Sequence, residues 1–407
     1  MIIGNIKKCR VCGFDMKNRI VFFNNMPLTD DFISVENPHT EYLEDIEIYQ
    51  CGNCDLVQNP VNFDYQEYYQ EYEYSSGHSD FTKTFMKEYA KKVTEIYKNQ
   101  NDHTPSSVIE IGSGDGEQLK FFDRMNFDSI LGIEPSKSLA KQSKKNGVPV
   151  IESLFTKNLI EELDNVKFDI CISSYTFDHV PDPKDYLEAA YNILSENGIL
   201  AFEIHDIDDI YSRSEWCLFE HEHTIYMNKD ASVRLLKKCG FEVVSINPLD
   251  NDLVRANSLI VVAKKFKNNQ SPFVKESNRH VGSYYDIMER IEKTASLIDS
   301  WISTIPNDEE LIGWGVGGRG VMTLALLNNS DKFKAIFDSK YNSNKLLTPK
   351  TRIPICGSES LNSYSDSWVL IFSFGYSKEI TEELLRYGFS KDKILSLDSF
   401  YNNGQGL

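Results

Sequence analysis

The 407-residue chain is longer than one hydrophobic core ordinarily supports, which points to two or three domains. Its hydrophobic content of 41% and aromatic content of 12% are those of a globular protein and exclude a disordered one. With 43 basic against 61 acidic residues the net charge is −18, an acidic surface that repels phosphate backbones and excludes nucleic acid as a general partner.

Met1 to Arg10 holds no apolar core of signal-peptide length, and no run approaches the ~20 apolar residues of a membrane span. A cytoplasmic protein without a membrane partner is expected. Residues 1–65 read as short strand-like pieces and turns bracketed by two Cys-x-x-Cys knuckles, Cys9-Arg-Val-Cys12 and Cys51-Gly-Asn-Cys54. Each knuckle brings two thiolates to one ion, and two knuckles complete a tetrahedral four-cysteine zinc site. Protein fills all four positions, so the metal is expected to be structural; two unrelated, redox-active cysteine pairs are the alternative. The other cysteines (Cys171, Cys217, Cys239, Cys356) are scattered without a framework pattern and read as reduced core residues.

A stretch rich in tyrosine (Tyr65, Tyr68, Tyr69, Tyr72, Tyr74) leads into Ser75-Ser76-Gly77, and Phe81 to Tyr97 has helical periodicity. Apolar runs then alternate with amphipathic stretches: Val108-Ile111, Ile130-Ile133, Phe168-Ser173, Gly198-Glu203, Glu242-Ile246 and Ser258-Ala263. Such alternation predicts a mostly parallel sheet with helices on both faces. Lys264 to Arg279 reads as a polar linker, and a helix follows from about Val281 to Ile302. A second alternating unit is expected from Leu311-Gly315, Ala335-Phe337, Val369-Phe374 and Ile394-Leu397, with helices from Gly320 and Glu379. The expected plan is α/β throughout: a small zinc-binding head over 1–75, a central Rossmann-like domain over 76–265 and a smaller C-terminal Rossmann-like α/β domain over 275–407.

Val108 to Gly116 spells a strand followed by Gly112, Ser113, Gly114 and Gly116. Glycines there let the backbone turn sharply and approach a ligand at the mouth of a parallel sheet. A dinucleotide fingerprint spaces its glycines Gly-x-Gly-x-x-Gly; here the third glycine comes one residue early and Glu110 sits inside the strand. Both features favour S-adenosylmethionine (SAM), which has no pyrophosphate to cradle, with S-adenosylhomocysteine as product. Glu134 ends the second strand, where its carboxylate can accept from both ribose hydroxyls; a solvated loop carboxylate is the alternative. Pro135, Ser174 at the end of the Phe168 strand, and Ser76 complete the expected cofactor-contacting set.

These residues, with Met26-Pro-Leu, Cys54-Asp-Leu-Val-Gln, Tyr72-Glu-Tyr-Ser-Ser, His179-Val-Pro-Asp-Pro, His221-Glu-His223 and Gly313-Trp-Gly-Val-Gly-Gly-Arg-Gly320, resemble the nucleotide-sugar C-methyltransferases of deoxysugar biosynthesis. The likeness runs along nearly the whole chain. It implies a SAM domain, a nucleotide-sugar substrate lying toward the C-terminal domain, and methylation of a carbon beside a ketone. Abstracting that proton needs a base titrating near neutrality and a donor for the enolate oxygen. The match to the His-Glu-His motif makes His223 the expected base, with Glu222 fixing its tautomer or the substrate. A charged solvated loop is the alternative, against which the neighbouring Trp216, Phe219 and Tyr226 argue. His179, at the carboxyl edge of the sheet, reads equally as catalytic or as packing, and so do Tyr72 and Tyr74; His205 and His78 are weaker candidates. Arg319, beside the Gly313–Gly320 turn, supplies the positive charge a diphosphate needs, and a helix N-terminus there can hold an anion. Glu220, Arg255 and Asn257 complete the expected substrate contacts.

The chain also departs from the family. Glu220 stands where a tyrosine is usual, Arg255-Ala-Asn257-Ser-Leu where many relatives carry His-Gly-Gly-Ser-Leu, and Tyr175 where asparagine is usual. These changes leave open O- or N-methylation of a sugar nucleotide or related polar metabolite. An NAD-dependent oxidoreductase using either glycine turn, and a zinc-ribbon binding module with an inactive methyltransferase domain, are the readings from other classes. A monomer or weak homodimer is expected.

Overall fold

The computed structural model describes residues 2–70, 79–163, 166–254, 257–266, 284–341 and 345–401; Tyr72, Tyr74, Ser76, His78 and Arg255 lie outside them. The chain forms two compact units, and it enters each more than once. One comprises residues 1–18, 50–207 and 222–281, the other residues 19–49, 208–221 and 282–407.

The first unit is built on a seven-stranded sheet. From one edge to the other its strands are Phe241–Ile246, Ser258–Lys265, Leu194–His205, Phe168–Ser174, Ser107–Ile111, Ser129–Ile133 and Val150–Ile151. The last five run parallel, as the βα alternation requires. Phe241–Ile246 and Ser258–Lys265 pair antiparallel. The central strands are apolar on both faces because both faces are covered: Ile170, Cys171 and Ile172, like Leu259 to Ala263, are wholly buried. The Asp80–Gln100 helix packs with Phe85, Met86, Tyr89, Ala90, Val93 and Tyr97 buried at helical spacing, and the Ser79 hydroxyl caps its start by accepting from Thr82 N. Asp182, with Pro183 behind it, caps the Pro183–Ile193 helix in the same way.

The second unit carries its own seven-stranded sheet, ordered Ile394–Ser396, Trp368–Ile371, Leu311–Trp314, Phe333–Phe337, Pro354–Cys356, Leu346–Leu347 and Ile33–Ser34. Four of its five parallel strands match the second alternation expected from sequence, Pro354–Cys356 being the addition, and the Gly318–Leu326 and Ser377–Arg386 helices lie among them. The edge differs: two residues from the N-terminal region, Ile33 and Ser34, pair antiparallel with Leu347 and Leu346.

Candidate functional site

The glycine loop leaves the Ser107–Ile111 strand with Gly112, Gly114 and Gly116 at φ of 70°, 54° and 79°, the left-handed region open to glycine. A Cβ on Gly112 would lie 2.2 Å from Thr176 Oγ1, so this loop lies directly against the loop that follows the Phe168–Ser174 strand. Glu134 reaches back across the glycines: its carboxylate accepts from Gly114 N and from Ser136 N, both at 2.8 Å. Among the described residues Glu110 Oε2 and Ser113 Oγ are buried with no hydrogen-bond partner. Burial, reinforced by Asp115 and Glu134, pushes the Glu110 carboxyl well above its ordinary range. A buried carboxyl without a partner fits the ammonium group of a methionine-bearing ligand. Pro135 lines an adjoining cavity of about 290 Å³ with Lys137, Glu152, Ser153, Leu154 and Thr156.

Beside the loop, three histidines converge. His179 closes the 3₁₀ turn Phe177–His179, and its Nδ1 is hydrogen-bonded to the Tyr69 hydroxyl at 2.7 Å. Its ring meets that of His223 edge-on, with centroids 4.6 Å apart. Burial, with His223 next in weight, pushes His179 down to about 3, so it is neutral at any physiological pH. His205 ends the Leu194–His205 strand; its Nδ1 donates to Asp178 Oδ2 at 2.7 Å, and its ring lies 5.0 Å from His223 and 4.5 Å from Tyr175. The cluster is held by backbone: Thr224 N donates to Asp178 O at 2.8 Å, and the Thr224 hydroxyl donates to Val180 O at 2.6 Å. Glu222 and His223 are both buried, which disposes of the solvated-loop alternative for this pair.

Asn257 is wholly buried, with its main-chain oxygen accepting from Asp206 N. Among the described residues neither its side-chain oxygen nor its nitrogen has a partner. The next residue, Ser258, donates from its hydroxyl to Glu203 Oε1 at 2.7 Å. Ser174 ends its strand opposite Glu203.

The four cysteines of the two knuckles meet in the first unit. Cys9 and Cys54 sulfurs, and likewise Cys12 and Cys51, are 3.5 Å apart, and all four lie within 4.8 Å of one another. Tetrahedral zinc at ~2.3 Å from each sulfur separates the sulfurs by ~3.8 Å, so the thiols fit the ion and close its coordination. The chemistry zinc supplies here is structural.

The second unit treats its expected ligand contacts differently. Arg319 Nε donates to Glu215 Oε1 at 3.1 Å, Glu215 is wholly buried, and the guanidinium lies 4.8 Å from the Phe374 ring centre. A Cβ on Gly318 would lie 2.3 Å from Glu220 Oε1, which sets that carboxylate at the N-terminus of the Gly318–Leu326 helix. The place expected to hold an anion thus already has one from the protein. Val316 N donates to Asp338 Oδ2 at 3.1 Å, the counterpart of Glu134 and Gly114 in the first unit. His221 Nε2 is 2.9 Å from Met26 O, and burial pushes this imidazole down to about 4. The boundary between units therefore falls inside the His-Glu-His motif.

Sequence reading singled out His223, Glu222, His179 and the glycine loop, which the structure brings together in the first unit. It did not single out Asp178 and ranked His205 below His223 and His179; the structure sets His205 Nδ1 2.7 Å from Asp178 Oδ2. Tyr69 is bonded to His179, while Tyr72 and Tyr74 lie outside the described residues.

Three family models match in chain order: a zinc binding domain over residues 9–69, a methyltransferase domain over 81–246 and a C-methyltransferase C-terminal domain over 273–394. The C-methyltransferase NovU of Streptomyces niveus is 22% identical over 397 residues, which cover 94% of this chain and 93% of that protein. Among solved structures, the plantazolicin methyltransferase BpumL in complex with SAH aligns with 46% of this chain and 84% of its own, at 15% identity and a TM-score of 0.37. A SAM-dependent methyltransferase from Archaeoglobus fulgidus aligns with 50% of this chain and 100% of its own, at 16% identity and a TM-score of 0.37. Among the described residues no helix is long and apolar enough to cross a membrane.

Proposed function

The chain is a SAM-dependent methyltransferase with the zinc-binding, methyltransferase and C-terminal domains of the C-methyltransferases, and we propose that its acceptor is the carbon adjacent to a ketone in a nucleotide-linked keto-deoxysugar. The observation that carries this reading is the histidine cluster at the carboxyl end of the sheet, which includes His179 three residues after Thr176, the residue that faces Gly112 of the glycine loop. A methyl acceptor at oxygen needs one base; a carbon acid needs a base and a separate donor for the enolate oxygen. Three imidazoles with different partners supply both.

In this reading Glu110, Ser113, the glycine backbone and Glu134 hold SAM, with Pro135 and Ser174 at the edges of the site; Ser76 is assigned on the resemblance alone. When bound, SAM supplies an electrophilic methyl group on sulfur. His223 takes the proton from the carbon beside the ketone. Neutral His179, oriented by Tyr69, packs His223 in place, and Glu222 orients the base or the sugar. Asn257, with an amide that is buried and unpaired among the described residues, is suited to a polar group of the acceptor. Tyr72, Tyr74 and Arg255 keep the roles expected from the resemblance. Arg319 and Glu220 act in the second unit on the architecture of the glycine turn, where a diphosphate would have to compete with Glu220.

The test is solvent exchange. A nucleoside-diphosphate 4-keto-6-deoxyhexose incubated with enzyme in heavy water should acquire deuterium beside the ketone. His223→Asn should slow both exchange and methylation by about 10²–10⁴-fold while leaving SAM affinity within threefold. Methylation of an acceptor without exchange at any carbon would establish the O- or N-methyltransferase alternative.

A further inference from the structure

His179 and His205 each lie within about 5 Å of His223, three imidazoles too close for all to carry charge, and their surroundings divide them. His179 bonds to a phenol and is held neutral. His205 bonds through Nδ1 to the Asp178 carboxylate at 2.7 Å, in a side chain that is almost wholly buried. Both rings meet that of His223. We propose that His205 is a second catalytic residue of the methyl-transfer site, an imidazolium that stabilises the acceptor's developing oxyanion, and that Asp178 is its positioning residue.

Four observations converge on this assignment. First, the 2.7 Å hydrogen bond commits Nδ1 to the carboxylate, so the proton His205 presents to an acceptor is on Nε2. Second, Asp178 is anchored independently of His205. Its main-chain oxygen accepts from Thr224 N at 2.8 Å, and Thr224 follows His223 directly. The carboxylate, the proposed donor and the proposed base therefore share one backbone frame. Third, strand register brings the pair together. Ser174 lies opposite Glu203, so the chain segments leaving these two parallel strands emerge side by side at the end of the sheet where ligands bind. Fourth, Tyr175 holds φ of 48° with its N donating to Glu203 O at 2.8 Å, and this sets its ring against His205. Backbone strain of that kind persists only where the surroundings over-determine it.

The charge arrangement also assigns roles. A buried carboxylate favours the imidazolium form of the histidine it bonds. A cation at His205 disfavours a second one on His223, 5.0 Å away, which leaves His223 neutral and able to accept a proton. His179, whose ring also meets that of His223, is neutral as well. The carbon–hydrogen bond beside the ketone breaks and its proton goes to His223. Its electron pair forms the enolate double bond, and the carbonyl pair moves to oxygen, where the His205 Nε2–H donates a hydrogen bond without transferring its proton. When the carbon takes the methyl group of SAM, releasing S-adenosylhomocysteine, the carbonyl reforms. The proton then leaves His223 for solvent.

This rests on the keto-acceptor reading, so the decisive experiment includes a measurement that needs no acceptor. In the zinc-loaded full-length protein labelled with ¹⁵N-histidine, NMR at pH 7.5 should show one imidazole protonated on both nitrogens. That signal should vanish in His205→Gln and become neutral in Asp178→Asn. A neutral His205 in the wild type overturns the proposal whatever the acceptor. With a nucleoside-diphosphate 4-keto-6-deoxyhexose and S-adenosylhomocysteine in heavy water, Asp178→Asn and His205→Gln should slow deuterium entry by about 10²-fold. The acceptor KM should change less than threefold, and Asp178→Glu should recover part of the rate. Equal exchange in wild type and both variants overturns the proposal. Absence of exchange in the wild type instead rejects the keto-acceptor reading, and the charge state of His205 then decides the present proposal alone. Metal analysis should return one zinc per chain in wild type and Asp178→Asn. A second ion lost with Asp178 would make Asp178, His205 and His223 a metal site, which also overturns it.

Discussion

At the residue scale, Glu110 is the group whose chemistry is most exposed to test. It lies in a strand buried on both sides, and its carboxyl is pushed well above the ordinary range by burial, then by Asp115 and Glu134. A carboxyl that binds its proton more tightly folded than unfolded contributes stability that is complete below about 4.5 and is lost as pH rises toward the folded value. Wild-type protein without SAM should therefore lose stability relative to Glu110→Gln as pH rises from 5 to 8. The difference should grow by up to about 1.4 kcal/mol per pH unit, read from denaturant midpoints. The same substitution should weaken SAM by about tenfold or more, read by calorimetry, because the ammonium loses its counter-charge. Equal midpoints at every pH would mean that Glu110 is charged in the folded protein. Glu110 and Glu134 were legible in sequence because each follows a buried run. Asp178 and His205 were not: one lies in the turn after the Phe168–Ser174 strand and the other ends the Leu194–His205 strand, and only the pairing of Ser174 with Glu203 makes them neighbours.

At the scale of elements, the glycine loop separates folding from binding. A Cβ on Gly112 would meet Thr176 Oγ1 at 2.2 Å with φ at 70°, whereas a Cβ on Gly114, with φ at 54°, would meet nothing within 4 Å. Gly112→Ala should cost about 3 kcal/mol or more, since strain and a clash with a packed loop add. Gly114→Ala should cost only about 1 kcal/mol and yet lose SAM affinity, because its methyl group juts into the space the ligand needs. Denaturation and calorimetry on both variants check this; a Gly114→Ala protein that binds SAM as tightly as wild type would place the cofactor away from the loop. The central strands were legible because strands covered on both faces read as unbroken apolar runs. Pairing direction was not, since Ser258–Lys265 looks like its parallel neighbours yet pairs antiparallel with the strands on both sides of it. Nor were Ile33 and Ser34, whose partners lie some 310 residues on and whose two-residue strands carry no periodicity.

At the scale of the whole molecule, sequence order and spatial grouping diverge. The head region divides between the units: residues 1–18 and 50 onward fold with the methyltransferase sheet, residues 19–49 with the other sheet. Zinc is the link that makes the first part of this arrangement stable, because it ties residues 9–12 to 51–54 across the excursion. Arg10, which sits between Cys9 and Cys12, links this knuckle to the segments that carry His179 and His223. The buried guanidinium donates to Asn59 O at 3.1 Å, to Val61 O at 2.6 Å and to Pro181 O at 2.7 Å, two residues past His179. Asn59 N in turn donates to Thr224 O, one residue past His223. The metal therefore frames both histidines without touching either. Removing zinc, or substituting Cys9→Ser, should lower the melting temperature and cut turnover by tenfold or more, while SAM affinity, set by the strands at 107–133, changes much less. Arg10→Lys separates the two effects: it should retain one zinc per chain and still lose turnover, since an ammonium cannot reproduce the guanidinium fork. Metal content, calorimetry and rate measured on the same preparations decide it. Full turnover in a metal-free protein, or in Arg10→Lys, would show that the head is a stabilising appendage with no hold on the histidine cluster.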